Sequence, residues 1–147
     1  GSNPIWIWPT SRFEQAEGHG GNWNAGHWTT GLETEGVDHL GTMRDIIDTL
    51  PWTELLPADE LLVEQPGWDD PGECRKVAAT PDRSTVVCYL PIGGRVKLSA
   101  VALPGAYGAT WCDPRTGQTH EAELETASGL IEVTALSDSD WVLVLRR

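Results

Sequence analysis

The sequence predicts a mainly β chain: an antiparallel β-sandwich of about seven to eight strands, with an N-terminal helical segment packed on it. Three observations carry this. From Leu61 onward the apolar residues recur with a period of two, the runs are short and separated by turn residues, and upstream of Pro51 one stretch has the period of a helix. At 147 residues the chain can bury a core of one domain, but it is too short for an eight-stranded β/α barrel of about 250 residues.

Taken in order, Gly1-Ser2 has the composition of a cleavage scar. Residues 3–60 then hold a strand, a Gly/Trp-rich stretch and the helix, and residues 61–147 hold the sandwich. Ile5, Trp6, Ile7 and Trp8 make an apolar strand that must be covered by this chain or by another. The helix is expected around Val37 to Leu50, where Val37, Leu40, Met43, Ile47 and Leu50 recur at spacings of three and four. Asp38 is placed to cap its start, and Pro51 ends it or opens a new turn at Trp52. Trp52, Leu55 and Leu56, in "PWTELLP", are expected to pack on the same partner as the helix.

In "RVKLSA", Val96 and Leu98 face one way while Arg95, Lys97 and Ser99 face the other; "HEAELE" likewise sets Ala122 and Leu124 against Glu121, Glu123 and Glu125. Each predicts a strand with one wet face. "STVVCYLP" and "WVLVLRR" are apolar on both faces, as strands in the middle of a sheet or between layers are. Turn residues fall between the runs, at Pro81-Asp82, Gly93-Gly94, Pro104-Gly105, Asp113 to Gly117 and Ser128-Gly129.

Charge narrows the partners. With 10 basic and 22 acidic side chains the net charge is -12, so nucleic acid and anionic membrane, which bind through basic patches, are not expected. No apolar run approaches the roughly 20 residues needed to span a bilayer. No metal or cofactor is expected. Cys74, Cys88 and Cys112 lie far apart, and three buried thiols is the simplest reading, with one disulfide plus a free thiol as the alternative. His19, His27 and His39 lack the i, i+4 spacing of a helical ligand pair, and there is no GxSxG elbow, GxGxxG or Walker loop.

Beyond these elements, "GHGGNWNAGHW", then "GTMRDIIDTLPWTELLP", then strands ending in "ATWCDPRTGQ" and "DWVLVL" together resemble the C-terminal part of apiosidase-like glycoside hydrolases. There a β/α barrel is followed by a small β-sandwich known as the collagen-binding domain of a collagenase. The tail is the most specific part: Trp111, the hairpin through Asp113, Pro114, Arg115, Thr116 and Gly117, and the closing Asp140 to Leu145. The resemblance implies an accessory module in an extracellular or periplasmic setting, partnered by the catalytic domain of a glycoside hydrolase or by polysaccharide. It also likens "PIWIWPTSRFE" to an earlier barrel strand, with its acidic residue at Glu14. Most of a barrel is missing from between these stretches, so a complete catalytic pocket is not expected.

Candidate sites follow. His19, Asn22, Trp23, Asn24, His27 and Trp28 have the chemistry of a carbohydrate site, since indole faces stack on sugar rings while Asn and His bond hydroxyls. The simpler reading is that Trp23 and Trp28 cover an apolar face while the glycines permit an irregular path. Glu33, Glu35 and Asp38 could pair as glycosidase carboxylates, yet in so acidic a chain they read better as solvated charges before a helix start. Asp113, Pro114 and Gly117 read as a structural turn. Two other functions remain open: a self-assembling subunit that uses the Ile5 to Trp8 strand, and a remnant glycosidase that uses Glu14.

Overall fold

The computed structural model describes residues 35–147 apart from 68, 69 and 71. It divides into two units, Gly1–Gly41 and Thr42–Arg147, and the sandwich lies in the second. Helix α1 spans Glu35–Asp48. After it come nine strands: β1 (Leu56–Pro57), β2 (Lys76–Ala79), β3 (Thr85–Leu90), β4 (Arg95–Ser99), β5 (Gly108–Cys112), β6 (Thr119–Glu121), β7 (Glu125–Ala127), β8 (Leu130–Thr134) and β9 (Trp141–Arg146). They form two antiparallel sheets, ordered β1-β2-β3-β9-β5-β6 and β4-β8-β7.

The core is the alternate residue set of both sheets. Val77, Val86, Cys88, Leu90, Trp111, Leu143 and Leu145 from the first sheet meet Val96, Leu98, Ile131 and Val133 from the second. The expectation for β4 holds residue by residue, with Val96 and Leu98 buried and the exposed or half-buried residues alternating with them. β3 and β9 pair with each other at the centre of the six-stranded sheet. Their second apolar face, Val87, Val142 and Val144, is covered together with Cys112 by Ile46, Leu50 and Leu55. This is why both runs are apolar throughout: one face lines the core and the other lies under the end of the helix.

The helix differs in detail from its prediction. It begins at Glu35, which leaves Asp38 one turn inside rather than at the cap. Its contact with the sheet runs through Ile46 and the following Leu50, whereas Met43 is 45% exposed. Only the last turn and the residues after it reach the sheet in this unit, and four positions after Ile46 bring Leu50 to the same side. Arg146, at the end of β9, donates to the carbonyl of Thr49 at 3.1 Å and to its hydroxyl at 3.3 Å. A cation therefore meets the carbonyl end of the helix, where the macrodipole favours it. Pro51 is followed by a short 3-10 turn, Trp52–Glu54. Of the three apolar residues expected to pack there, Leu55 does, whereas Trp52 is 59% and Leu56 is 56% exposed. The tight turn sends Trp52 outward, and Leu56 lies on the edge strand β1, both of whose residues are exposed.

"HEAELE" is not one strand. The chain leaves the first sheet after Glu121 and enters the second at Glu125, so β6 and β7 are edges of different sheets. The alternation survives because the crossing is extended: Ala122 is buried in the core with its N–H bonded to Ala109, and Leu124 packs beside it. Ser128 and Gly129, both at positive φ, make the two-residue turn between β7 and β8. The three cysteines are free, with Cys88 and Cys112 buried and Cys74 half-buried. Burial pushes the Cys88 thiol up to about 12.

The β2–β3 turn carries an acid-sensitive lock. Asp82 accepts hydrogen bonds from the Ser84 N–H at 3.0 Å and the Thr80 hydroxyl at 2.8 Å. These bonds, the backbone one foremost, lower its carboxyl from 3.8 to about 2. A depressed carboxylate contributes stability above its ordinary value and loses it as pH falls through the folded value. Thermal stability is therefore expected to decline between pH 3.8 and about 2, and less steeply in Asp82→Asn. Melting curves of both proteins across that range test this; parallel declines would remove Asp82 from the cause.

Candidate functional site

His19, Asn22, Trp23, Asn24, His27, Trp28, Glu14 and Glu33 lie outside the described residues. Glu35, Asp38 and His39 fall on the first turns of α1. The polar and aromatic cluster that the described residues assemble lies instead around the β5–β6 turn.

That turn is built by its own sequence. The Asp113 N–H bonds the Gln118 carbonyl at 2.9 Å, and the Asp113 carbonyl accepts from Gly117 at 2.8 Å. Gly117 takes φ 74, where a side chain would be strained. Asp113 Oδ1 accepts from the Arg115 N–H at 2.8 Å, bending the chain over Pro114. The same carboxylate then holds the Arg115 side chain through both oxygens, from Nε at 2.9 Å and from Nη2 at 3.0 Å. Arg115 and the backbone amides hold the Asp113 carboxyl below its usual range.

Other strands complete the cluster. Asp140, just before β9, lies 3.6 Å from Arg115 Nε. The Arg115 guanidinium sits 6.0 Å from the ring centre of Trp141. His120 of β6 and Trp111 of β5 meet the same indole edge-on, at 6.1 and 6.2 Å. Trp141 Nε1 donates to the Ser137 hydroxyl at 3.1 Å, so the buried indole leaves no donor unpaired.

Chemically this is a closed arrangement. Two carboxylates face the one guanidinium, and the indole beneath it is buried, so the cluster holds the end of the sheet together. An acid–base pair needs one carboxyl pushed upward, whereas among the described residues the carboxyls that the structure clearly shifts, at Asp59, Glu60, Asp82 and Asp113, all move down. Among the described residues no group of three His, Cys, Asp or Glu is placed to hold a metal, and no helix is long and apolar enough to cross a membrane. The turn at Asp113, Pro114 and Gly117 is readable in the sequence. The convergence of Arg115, Asp140 and His120 on Trp141 is not, because it joins the β5–β6 turn, β6 and the start of β9; the local sign is the Asp113 to Arg115 spacing.

The comparisons with known proteins agree on the module. A solved glycoside hydrolase shares the fold with a TM-score of 0.68 at 19% identity, over 88% of this chain and 29% of that one. A family 5 glycoside hydrolase from Bacteroides vulgatus does so with a TM-score of 0.66 at 18% identity, over 82% of this chain and 26% of that one. The match thus takes in less than a third of either glycoside hydrolase. No curated protein matches in sequence. One family model matches residues 56–146, which takes in all of β1 to β9, and the chain accordingly belongs to the family described as "Putative collagen-binding domain of a collagenase".

Proposed function

We propose that this chain is a non-catalytic accessory module of a carbohydrate-active enzyme, which supports a catalytic domain and contacts polysaccharide. One observation carries the reading: the same sandwich fold recurs within two larger glycoside hydrolases, as a minor part of each. The Gly/Trp-rich stretch supplies the sugar-contacting groups, with Trp23 and Trp28 stacking on pyranose faces and His19, Asn22, Asn24 and His27 bonding hydroxyls. The net charge of -12 favours neutral glycans over polyanionic ones.

Affinity electrophoresis against a panel of soluble polysaccharides tests this. Retardation by at least one glycan, reduced roughly fivefold or more in affinity by Trp23→Ala or Trp28→Ala, is the expected result, since each stacked ring contributes on the order of 1 kcal/mol or more. Turnover of aryl glycosides that disappears in Glu14→Gln would overturn the non-catalytic reading. Concentration-dependent assembly that disappears on deleting residues 1–9 would replace polysaccharide contact with self-association.

A further inference from the structure

Arg75 immediately precedes β2 and continues the alternation of Val77 and Ala79, whose side chains enter the core. Its side chain therefore points to the same side as theirs, and the residue is only 9% exposed. Nε is fully buried and has no hydrogen-bond partner among the described residues. Burial accordingly pushes the guanidinium pKa down, with Glu64 and Glu73 opposing the shift only through space. Glu64 itself is engaged by Lys97 at 2.7 Å.

The position of the arginine is held by its backbone. Gln65 spans it, Nε2 donating to the Arg75 carbonyl at 2.7 Å and Oε1 accepting from the Arg75 N–H at 2.9 Å. The outer part of the guanidinium lies over Gly94, where a Cβ would come within 3.4 Å of Nη2. Gly94 takes φ 77, so its backbone leaves that edge uncovered by any side chain of its own. A charge taken out of water without a partner is costly, and a planar fork of N–H donors is matched best by two carboxylate oxygens.

We propose that the outer edge of the Arg75 guanidinium, over Gly94, is a docking point for one carboxylate group from outside the chain, carried by a small organic acid or by an acidic sugar. The inference is independent of the glycan contact at Trp23 and Trp28. It concerns one carboxylate in a local setting where Lys97 offsets Glu64, so the overall negative charge weakens it without forbidding it.

The test is a thermal shift with acetate, glucuronate and glucose, against sodium chloride at matched ionic strength, on the native protein and two variants. Arg75→Met removes the fork. Gly94→Asn suits a positive φ and places its own amide oxygen against the fork. At ligand concentrations well above Kd, a rise of a few degrees is expected in the native protein with acetate or glucuronate and not with glucose. Both variants should lose that increment. Response to acetate and glucuronate alike assigns the site to a bare carboxylate, and response to glucuronate alone assigns it to an acidic sugar. A carboxylate increment that persists in Gly94→Asn, or one no larger than that of chloride in the native protein, would overturn the proposal. Because Gly94→Asn retains Arg75, the test stands even where Arg75→Met does not fold.

Discussion

Trp111→Ala is expected to destabilise the sandwich by about 3 to 5 kcal/mol, a large part of the roughly 5 to 15 kcal/mol that holds a small domain together. Trp111 is 1% exposed and is among the largest fully buried side chains. Its strand lies between β9 and β6, with Leu143 and His120 as its register partners. Its ring meets Trp141 edge-on at 6.2 Å, a geometry that adds to the energy of burial. Truncation would open a cavity against both sheets, whose backbone is tied by ladder hydrogen bonds and cannot collapse into it. The melting temperature should fall by more than about 10 °C. The near-UV circular dichroism of the paired indoles should fall with it. Trp52→Ala is the matched control: that side chain is 59% exposed, and its loss should change stability by less than about 0.5 kcal/mol. Equal effects at the two positions would contradict the packing described.

Those two tryptophans mark what the sequence can and cannot reveal. Alternation is a local property of the chain, so the inward set of β4 is legible from "RVKLSA", and the two-faced apolar runs correctly place β3 and β9 at the centre. Turn chemistry is also local, and Asp113 to Gly117 folds as its residue types require. The choice between Met43 and Ile46 as the helix contact is not local, because both are apolar and only the position of the sheet decides it. Trp52 departs from its expected packing for a similar reason: apolar character favours burial, while a three-residue 3-10 turn after Pro51 fixes where the side chain points.

The crossing at Ala122 to Leu124 shows a different limit. Period two reports which side of the chain faces the core, and it continues unbroken when the chain passes from one sheet to the other. A single alternating run therefore stands for two strands, β6 and β7. The cluster on Trp141 was hidden because Arg115, His120 and Asp140 are ordinary surface types taken singly. Arg75 was hidden because a charged residue ahead of a strand reads as solvated; the parity of Val77 and Ala79 would have pointed it inward.

Gly93→Ala is expected to be the most damaging single methyl addition among the positive-φ and turn glycines of the β3–β4 and β8–β9 end. A Cβ at Gly93 would fall on the carbonyl oxygen of Ser137 and within 3.1 Å of the Asp138 Cα, both backbone atoms that cannot rotate away. The two loops are also clamped together: the Gly93 N–H donates to the Ser139 carbonyl at 2.8 Å, and the Ala135 N–H to the Gly94 carbonyl at 2.8 Å. Relief of the clash must lengthen these bonds, and it must move Ser137, whose hydroxyl receives the Trp141 indole N–H. Overpacking together with one or two weakened hydrogen bonds amounts to about 3 to 5 kcal/mol. The neighbouring Gly94→Ala provides the contrast. Its φ of 77 makes alanine strained by roughly 1 to 2 kcal/mol, but its Cβ would meet only the movable end of Arg75. Urea unfolding of the three proteins, compared at a common m-value, should therefore rank native above Gly94→Ala above Gly93→Ala. The reverse order would mean that backbone dihedral strain outweighs the clamp between the loops, and that the Ser137 to Ser139 segment yields more readily than its hydrogen bonds imply.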